Sequence, residues 1–185
     1  LPLGDLPLNI AVAPHKKWIA VTNNGQGTHS LQLIDVQKNQ LLHSLNIPIG
    51  WLGLAFSDDS RTLYVSGGNN NTILRYAVVA NRLVLHDTIT LGTPWPKRIS
   101  PAGLCADDQR GLLYVVTKEN HSLYVVDTRS KQVVHRDSLG KEAYTCLLSP
   151  DRKHLYITHW GANELIVWDT RKRSVAQRIP TGDNP

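Results

Sequence analysis

The segments Leu63-Tyr64-Val65-Ser66, Leu113-Tyr114-Val115-Val116-Thr117 and His154-Leu155-Tyr156-Ile157-Thr158 are three versions of one apolar, β-forming stretch. Trp18-Ile19-Ala20-Val21-Thr22 is a fourth, with Ala20 standing where the others carry tyrosine. β-branched and aromatic residues in this density fit a pleated strand. Each copy is followed by a polar loop rich in Asn or Gly and then by a second apolar run: Leu31-Gln32-Leu33-Ile34-Asp35, Ile73-Leu74-Arg75-Tyr76, Leu123-Tyr124-Val125-Val126-Asp127 and Leu165-Ile166-Val167-Trp168-Asp169. Working outward, Gly4, Gly50, Gly92, Gly140 and Gly182 mark the same phase of the repeat at spacings of 46, 42, 48 and 42 residues. A unit of that length, with dense turns and no helical period, holds four short strands, as a propeller blade does. The innermost strand is expected at Ile10–Ala13 in the first unit and Leu52–Phe56 in the second. The outermost is expected at Leu41–Leu45 and Leu83–Asp87. The prediction is therefore an all-β chain, a β-propeller with four four-stranded antiparallel blades at about 3–47, 48–91, 92–139 and 140–182 in one domain spanning 1–185.

Composition agrees with this reading. Of the 185 residues 41% are hydrophobic and 19% charged, enough apolar content for a core and too little charge for a long solvated helix. No apolar run approaches the roughly 20 residues of a membrane-spanning helix. The two cysteines, Cys105 and Cys146, are too few for a disulfide framework and lack metal-ligand spacing, so they read as small buried residues. A net charge of +5 permits acidic partners without requiring them. The chain has no methionine, and its opening Pro2-Leu3-Gly4-Asp5-Leu6-Pro7 matches its closing Pro180-Thr181-Gly182-Asp183-Asn184-Pro185 at four of six positions. The repeat thus starts and stops in phase, and the expectation is that four blades are part of a larger propeller.

The Tyr-Val/Ile-Thr/Ser segments, with loops such as Asn23-Asn24 and Asn69-Asn70-Asn71 and the Ser149-Pro150-Asp151 hairpin, resemble the YVTN-repeat β-propellers of the YncE-like type. The resemblance covers essentially the whole chain and implies a seven-bladed propeller of which four blades are present. It implies an extracytoplasmic bacterial protein, periplasmic or extracellular, and a fold shared with lactonases, surface-layer antigens and quinoprotein dehydrogenases. Some similar chains carry the propeller in front of a phosphoesterase domain, which makes an attached catalytic domain a possible partner.

Propeller topology sorts the loops onto two faces. Connections from the outermost strand into the next blade, together with those between the second and third strands, collect Trp51, Trp95, Lys97, Arg98, Glu119, His121, His159, Trp160 and Asn163. Aromatic rings beside directed cations make a recognition surface, expected to take a protein, glycan or small ligand. The alternative for the tryptophans is packing between blades. The hairpins of the other face collect Lys16, Lys17, Lys38, Arg110, Arg129, Lys131, Arg152, Lys153 and Arg171-Lys172-Arg173. Without stacking aromatics among them, nucleic acid is not expected, and they read as solvated turn residues. Asp35, Asp127 and Asp169 read as turn caps.

Catalytic patterns are absent. No Gly-x-Ser-x-Gly elbow, no Cys beside a His and no haem-attachment motif occurs, and neither Gly67-Gly68 nor Gly25-Gln26-Gly27 sits before a helix as a phosphate loop would. The eight histidines form no i, i+2 or i, i+4 pair; Glu119 with His121, and His159 with Glu164, are the only pairings of note. No cofactor, metal or catalytic residue is predicted. The functional expectation is a binding or scaffold module, with a lactonase-like or phosphoesterase-associated hydrolase as the alternative; in that case Glu119, His121 and His159 would supply acid–base groups.

Overall fold

The computed structural model describes every residue except Pro2, Trp95 and Asn184. Among the described residues sixteen strands form four antiparallel sheets, each a run of four consecutive strands in chain order. Blade 1 holds β1 (Pro7–Val12), β2 (Trp18–Asn23), β3 (Ser30–Asp35) and β4 (Gln40–Asn46). Blade 2 holds β5 (Leu54–Phe56), β6 (Thr62–Ser66), β7 (Thr72–Val79) and β8 (Arg82–Thr90). Blade 3 holds β9 (Pro101–Asp107), β10 (Leu112–Thr117), β11 (Ser122–Asp127) and β12 (Val133–Ser138), and blade 4 holds β13 (Cys146–Leu148), β14 (His154–His159), β15 (Glu164–Asp169) and β16 (Ser174–Pro180). The chain is a four-bladed β-propeller arc, as the repeat predicts.

The strand alternation determines how blades stack, because successive side chains point to opposite faces. In β6, Leu63 and Val65 pack toward blade 1 with Ala20, Leu31 and Leu33. Tyr64, on the other face, joins Leu113 and Val115 of blade 3. In blade 3, Tyr114 and Val116 turn toward Leu155 and Ile157 of blade 4. Every internal junction therefore sets the face of the tyrosine position, filled by Ala20 in blade 1, against the Leu/Val face of the next blade. Each fully buried aliphatic side chain there contributes roughly 1.5–3 kcal/mol. Trp168 is wholly buried at the third junction, edge-on to Tyr114 at 5.9 Å, with its indole N–H donating to Asp137 Oδ2 at 2.6 Å. For this tryptophan, packing between blades is the role.

The innermost strands β1, β5, β9 and β13 stand side by side around the axis. Their backbones approach so closely that a Cβ on Gly53 would lie 2.4 Å from the Ala102 carbonyl oxygen, and one on Gly103 would lie 2.6 Å from Thr145 Cα. Only glycine fits at such an approach.

The outer hairpins repeat one device. A register shift falls between Leu33 and Ile34, Arg75 and Tyr76, Val125 and Val126, and Val167 and Trp168. Each bulge adds twist to the outer strand. In blades 1, 3 and 4 the turn that follows is capped by aspartate. Asp35 Oδ1 accepts the Lys38 N–H at 2.9 Å, Asp127 Oδ1 that of Ser130 at 2.7 Å, and Asp169 Oδ1 that of Lys172 at 2.8 Å. In blade 2 the corresponding residue is Ala77. Without the cap the ladder runs on through Val78↔Leu83 and Val79↔Arg82 into a two-residue turn, Ala80-Asn81, with φ of 49° and 63°. Positive φ at both central residues is the hairpin turn that matches strand twist.

Candidate functional site

The loops following β2, β6, β10 and β14 and the connections between blades share one face. Two adjoining hollows lie there. One, of about 250 Å³, is lined by Asn24, His29, Trp51, Asn69, Lys118 and Glu119 among others. The second, of about 190 Å³, is lined by Asn69, Lys97, Arg98, Ser100 and Glu119. Asn69, Ser100 and Glu119 belong to both, so the two form one cleft.

The loop bearing Lys97 and Arg98 is held by a buried asparagine. Asn71, in the left-handed region at φ 57°, ends the 3-10 turn Gly68–Asn70. Its Oδ1 accepts the N–H groups of Ile99 and Ser100 at 3.1 and 3.0 Å, and its Nδ2 donates to the carbonyls of Thr93 and Lys97 at 2.7 and 2.6 Å. Four hydrogen bonds from a side chain that solvent does not reach fix a connection with no strand of its own. Asn69 Oδ1 accepts the Ser100 hydroxyl at 2.9 Å and ties the cleft floor to the same loop.

Beside the cleft runs a chain of rings and charge. The Lys118 ammonium lies 5.9 Å from the Trp51 ring centroid and 5.4 Å from that of Tyr144. Its Nζ is 3.4 Å from Glu142 Oε1. Trp160 stacks on Tyr144 with centroids 4.1 Å apart and ring planes 18° from parallel. Burial works to lower the lysine's pKa, but hydrogen bonding to Tyr144 and the charge of Glu142 outweigh it, so the ammonium is held above its usual value and stays charged at neutral pH. The Trp51 indole N–H is buried without a partner.

The sequence-predicted rim residues divide accordingly. Trp51, Lys97, Arg98 and Glu119 line the cleft. Trp160, 38% exposed, joins the aromatic run. Trp95 lies outside the described residues. His121 occupies a left-handed turn position at φ 51°, its Nδ1 buried without a partner. Asn163 is likewise left-handed and closes the turn Trp160–Ala162, its Nδ2 donating to Asp183 Oδ1 at 2.7 Å. His159 is buried: β14 turns it to the same side as Leu155 and Ile157, toward blade 3. Its Nδ1 lies 2.7 Å from Glu164 Oε1, and Arg178 binds the same carboxylate oxygen. Burial opposes ionisation of Glu164, yet the His159 and Arg178 contacts bring its pKa below the ordinary glutamate value. Among the described residues no three His, Cys, Asp or Glu side chains converge as metal ligands would. Lys118 and Tyr144 were not singled out by sequence reasoning, and Asn69 and Asn71 were read only as part of the loop Asn69-Asn70-Asn71. The only signal for them was position in loops already assigned to this face.

The opposite face differs. Asp107, fully buried, accepts from Arg110 and Arg152, both at 2.8 Å, and Arg152 also reaches Asp58 at 2.6 Å. The Asp58 N–H donates to Asp108. Arg110 and Arg152 therefore join blades 2, 3 and 4 instead of standing as solvated hairpin tips.

A family model described as the SMP-30/gluconolactonase/LRE-like region matches residues 16–161. The chain belongs to this family. Membership agrees with the propeller predicted from the repeat and does not support the specific YncE-like assignment. No curated protein sequence matches. Among solved structures, hydrazine synthase from Kuenenia stuttgartiensis is similar with a TM-score of 0.79 at 16% identity, over 96% of this chain and 50% of that one. A functionally unknown protein from Desulfotomaculum acetoxidans gives 0.76 at 14%, over 95% and 56%. U3-55K gives 0.79 at 15%, over 97% and 53%. The SMP-30/gluconolactonase-like chain thus spans about half the length of these structures, and at such identities the likeness concerns the fold. No helix among the described residues is long and apolar enough to cross a membrane.

Proposed function

We propose that this chain is a ligand-recognition module whose cleft-bearing face binds a hydroxylated, acidic ligand of the glycan class without reacting with it. The observation that carries the reading is the Trp51–Lys118–Tyr144–Trp160 run flanking a cleft that also holds Lys97 and Arg98. Aromatic faces supply area to the apolar side of a sugar ring, while fixed cations and the amides of Asn24 and Asn69 favour a carboxylate and hydroxyls. In the YncE-like reading the protein works outside the cytoplasm, where it binds a partner directly or positions a separate catalytic domain. The test is tryptophan fluorescence titrated with uronate-containing and neutral oligosaccharides. Saturable binding of the acidic ones, lost in Lys118→Ala and Trp51→Ala, is expected; no binding of either series overturns the proposal.

The family membership favours a second reading, a lactonase-like hydrolase. Glu119 is the carboxylate lining both hollows and would act as the general base on a small cyclic ester. Turnover of gluconolactone in a pH-stat, abolished by Glu119→Gln, would establish this reading in place of the first.

A further inference from the structure

We propose that Asn24 is a self-modification site: the Gly25 backbone nitrogen attacks its side-chain amide, ammonia is lost, and aspartate or isoaspartate is left on the wall of the cleft. Asn24 is the only asparagine in the sequence followed by glycine. A following glycine carries no Cβ to hinder the approach of its nitrogen to the side-chain carbonyl, and its backbone turns most readily into the geometry of attack. In a folded chain the two groups must also be free of other bonds. The Asn24 N–H donates to the Leu6 carbonyl at 3.1 Å, whereas among the described residues neither the Asn24 side-chain amide nor the Gly25 N–H has a hydrogen-bond partner. Asn24 is half-buried just after β2, and Gly25 lies in a bend. The neighbouring Asn23 differs: its Nδ2 donates to Ser30 Oγ at 3.0 Å and to Gln32 Oε1 at 3.1 Å. Asn71 makes the four bonds described above, and Asn120 Nδ2 donates to the Tyr124 hydroxyl at 2.7 Å. Amides held in this way must break those bonds before they can react.

The fold itself keeps the reactive pair. A Cβ on Gly25 would collide with the Asp5 carboxylate, which also accepts the Gly27 N–H at 3.3 Å, so packing requires glycine after Asn24. In the reaction the Gly25 nitrogen bonds to Asn24 Cγ and gives up its proton, the bond from Cγ to Nδ2 breaks, and Nδ2 leaves as ammonia. Water then opens the cyclic imide at either carbonyl. Opening at Cγ yields aspartate, and opening at the backbone carbon yields isoaspartate, whose main chain is one carbon longer. No oxidant or reductant is consumed. Asn24 lines the first hollow together with Lys118 and Glu119. The product therefore adds a negative charge to a cleft that is proposed to take an acidic ligand, and this consequence, unlike the modification, rests on that reading. Like charge there should weaken binding of a uronate-containing oligosaccharide by roughly tenfold.

The experiment incubates the folded 185-residue chain beside the same chain unfolded in guanidinium chloride, both in mildly alkaline buffer. Peptide mass spectrometry follows every asparagine, and electron-transfer fragmentation tells isoaspartate from aspartate. In the folded chain Asn24 should convert at a rate within about tenfold of that in the unfolded chain, while Asn23, Asn71 and Asn120 keep their amides. Asn24→Gln should abolish the product and leave the far-ultraviolet circular dichroism native. An Asn24 amide that survives in the folded chain for as long as the unfolded chain takes to lose it, or another asparagine converting first in the folded chain, overturns the proposal. Asn24→Asp, titrated with uronate-containing oligosaccharide, reads the consequence. Weaker binding than the unmodified chain supports the effect on the cleft, and equal binding overturns that effect. No binding by the unmodified chain overturns the acidic-ligand reading, while the modification is judged by mass spectrometry alone.

Discussion

The two loop faces of the arc hold similar side chains in different arrangements. On the hairpin face, Asp107 is saturated by Arg110 and Arg152, and Arg152 bridges to Asp58, so charges are used between blades. On the cleft face Lys118 sits between two rings with one partly exposed carboxylate beside it, and the Trp51 indole N–H has no partner. Cations buried in reciprocal pairs stabilise geometry; cations left against aromatic faces keep binding capacity for a ligand. A count of basic residues per face would have ranked the hairpin side first, and the pairing shows that Arg110 and Arg152 there are used within the arc.

Breaking the hairpin network should produce the largest effect. Arg152→Ala removes one of two cations from a fully buried aspartate and should cost about 3 kcal/mol in urea unfolding, whereas Lys118→Ala should cost under about 1 kcal/mol. Equal losses would erase the contrast between the faces. Next comes Asn71→Ala, which leaves two buried N–H groups and two carbonyls unpaired and puts alanine at φ 57°. A loss of about 2 kcal/mol is expected, together with weaker binding of acidic oligosaccharide although Asn71 does not line the cleft.

Acid should act on both faces. Glu164 on one side, and Asp59, Asp151 and Asp169 on the other, have pKa values below those of free carboxylates. Their contribution is complete above the unfolded-state values near 4 and is lost as pH falls through the folded ones. Stability should therefore be flat near neutrality and decline below about pH 4. Arg178→Met should shift the Glu164 part of that decline upward in pH, read from urea midpoints across the acid range. The smallest effect is local. The Ser149 hydroxyl, donating to Asp151 Oδ1 at 2.7 Å, is the main cause that brings this carboxyl down to about 2. Ser149→Ala should return it toward the ordinary range in an NMR titration, with no change in Glu164.

The repeat was legible because stacked blades demand the same residue type at the same step. Tyr64, Tyr114 and Tyr156 all face the following blade position, and the Asp caps appear where they were read. The longer blade 2 hairpin is also traceable to one residue, Ala77. The site was less legible. Trp51, Lys97, Arg98 and Glu119 could be assigned to a face by topology, yet nothing local distinguishes them from His121 or Asn163, which serve turns. His159 reads as a loop-proximal histidine and is buried because strand alternation turns it toward blade 3. Lys118 and Tyr144 meet only because separate connections, after β10 and before β13, converge.

Sequence by itself determined the four blades, their strand order, the turn chemistry and the two faces, since these follow from local periodicity repeated at a fixed interval. Only the tertiary structure decided which arginines are paired, which tryptophan is packed and which lies open, and which lysine stands between aromatic rings. Those outcomes depend on distances between loops far apart in the chain, and such distances are set by how blades pack, not by any residue's neighbours in sequence.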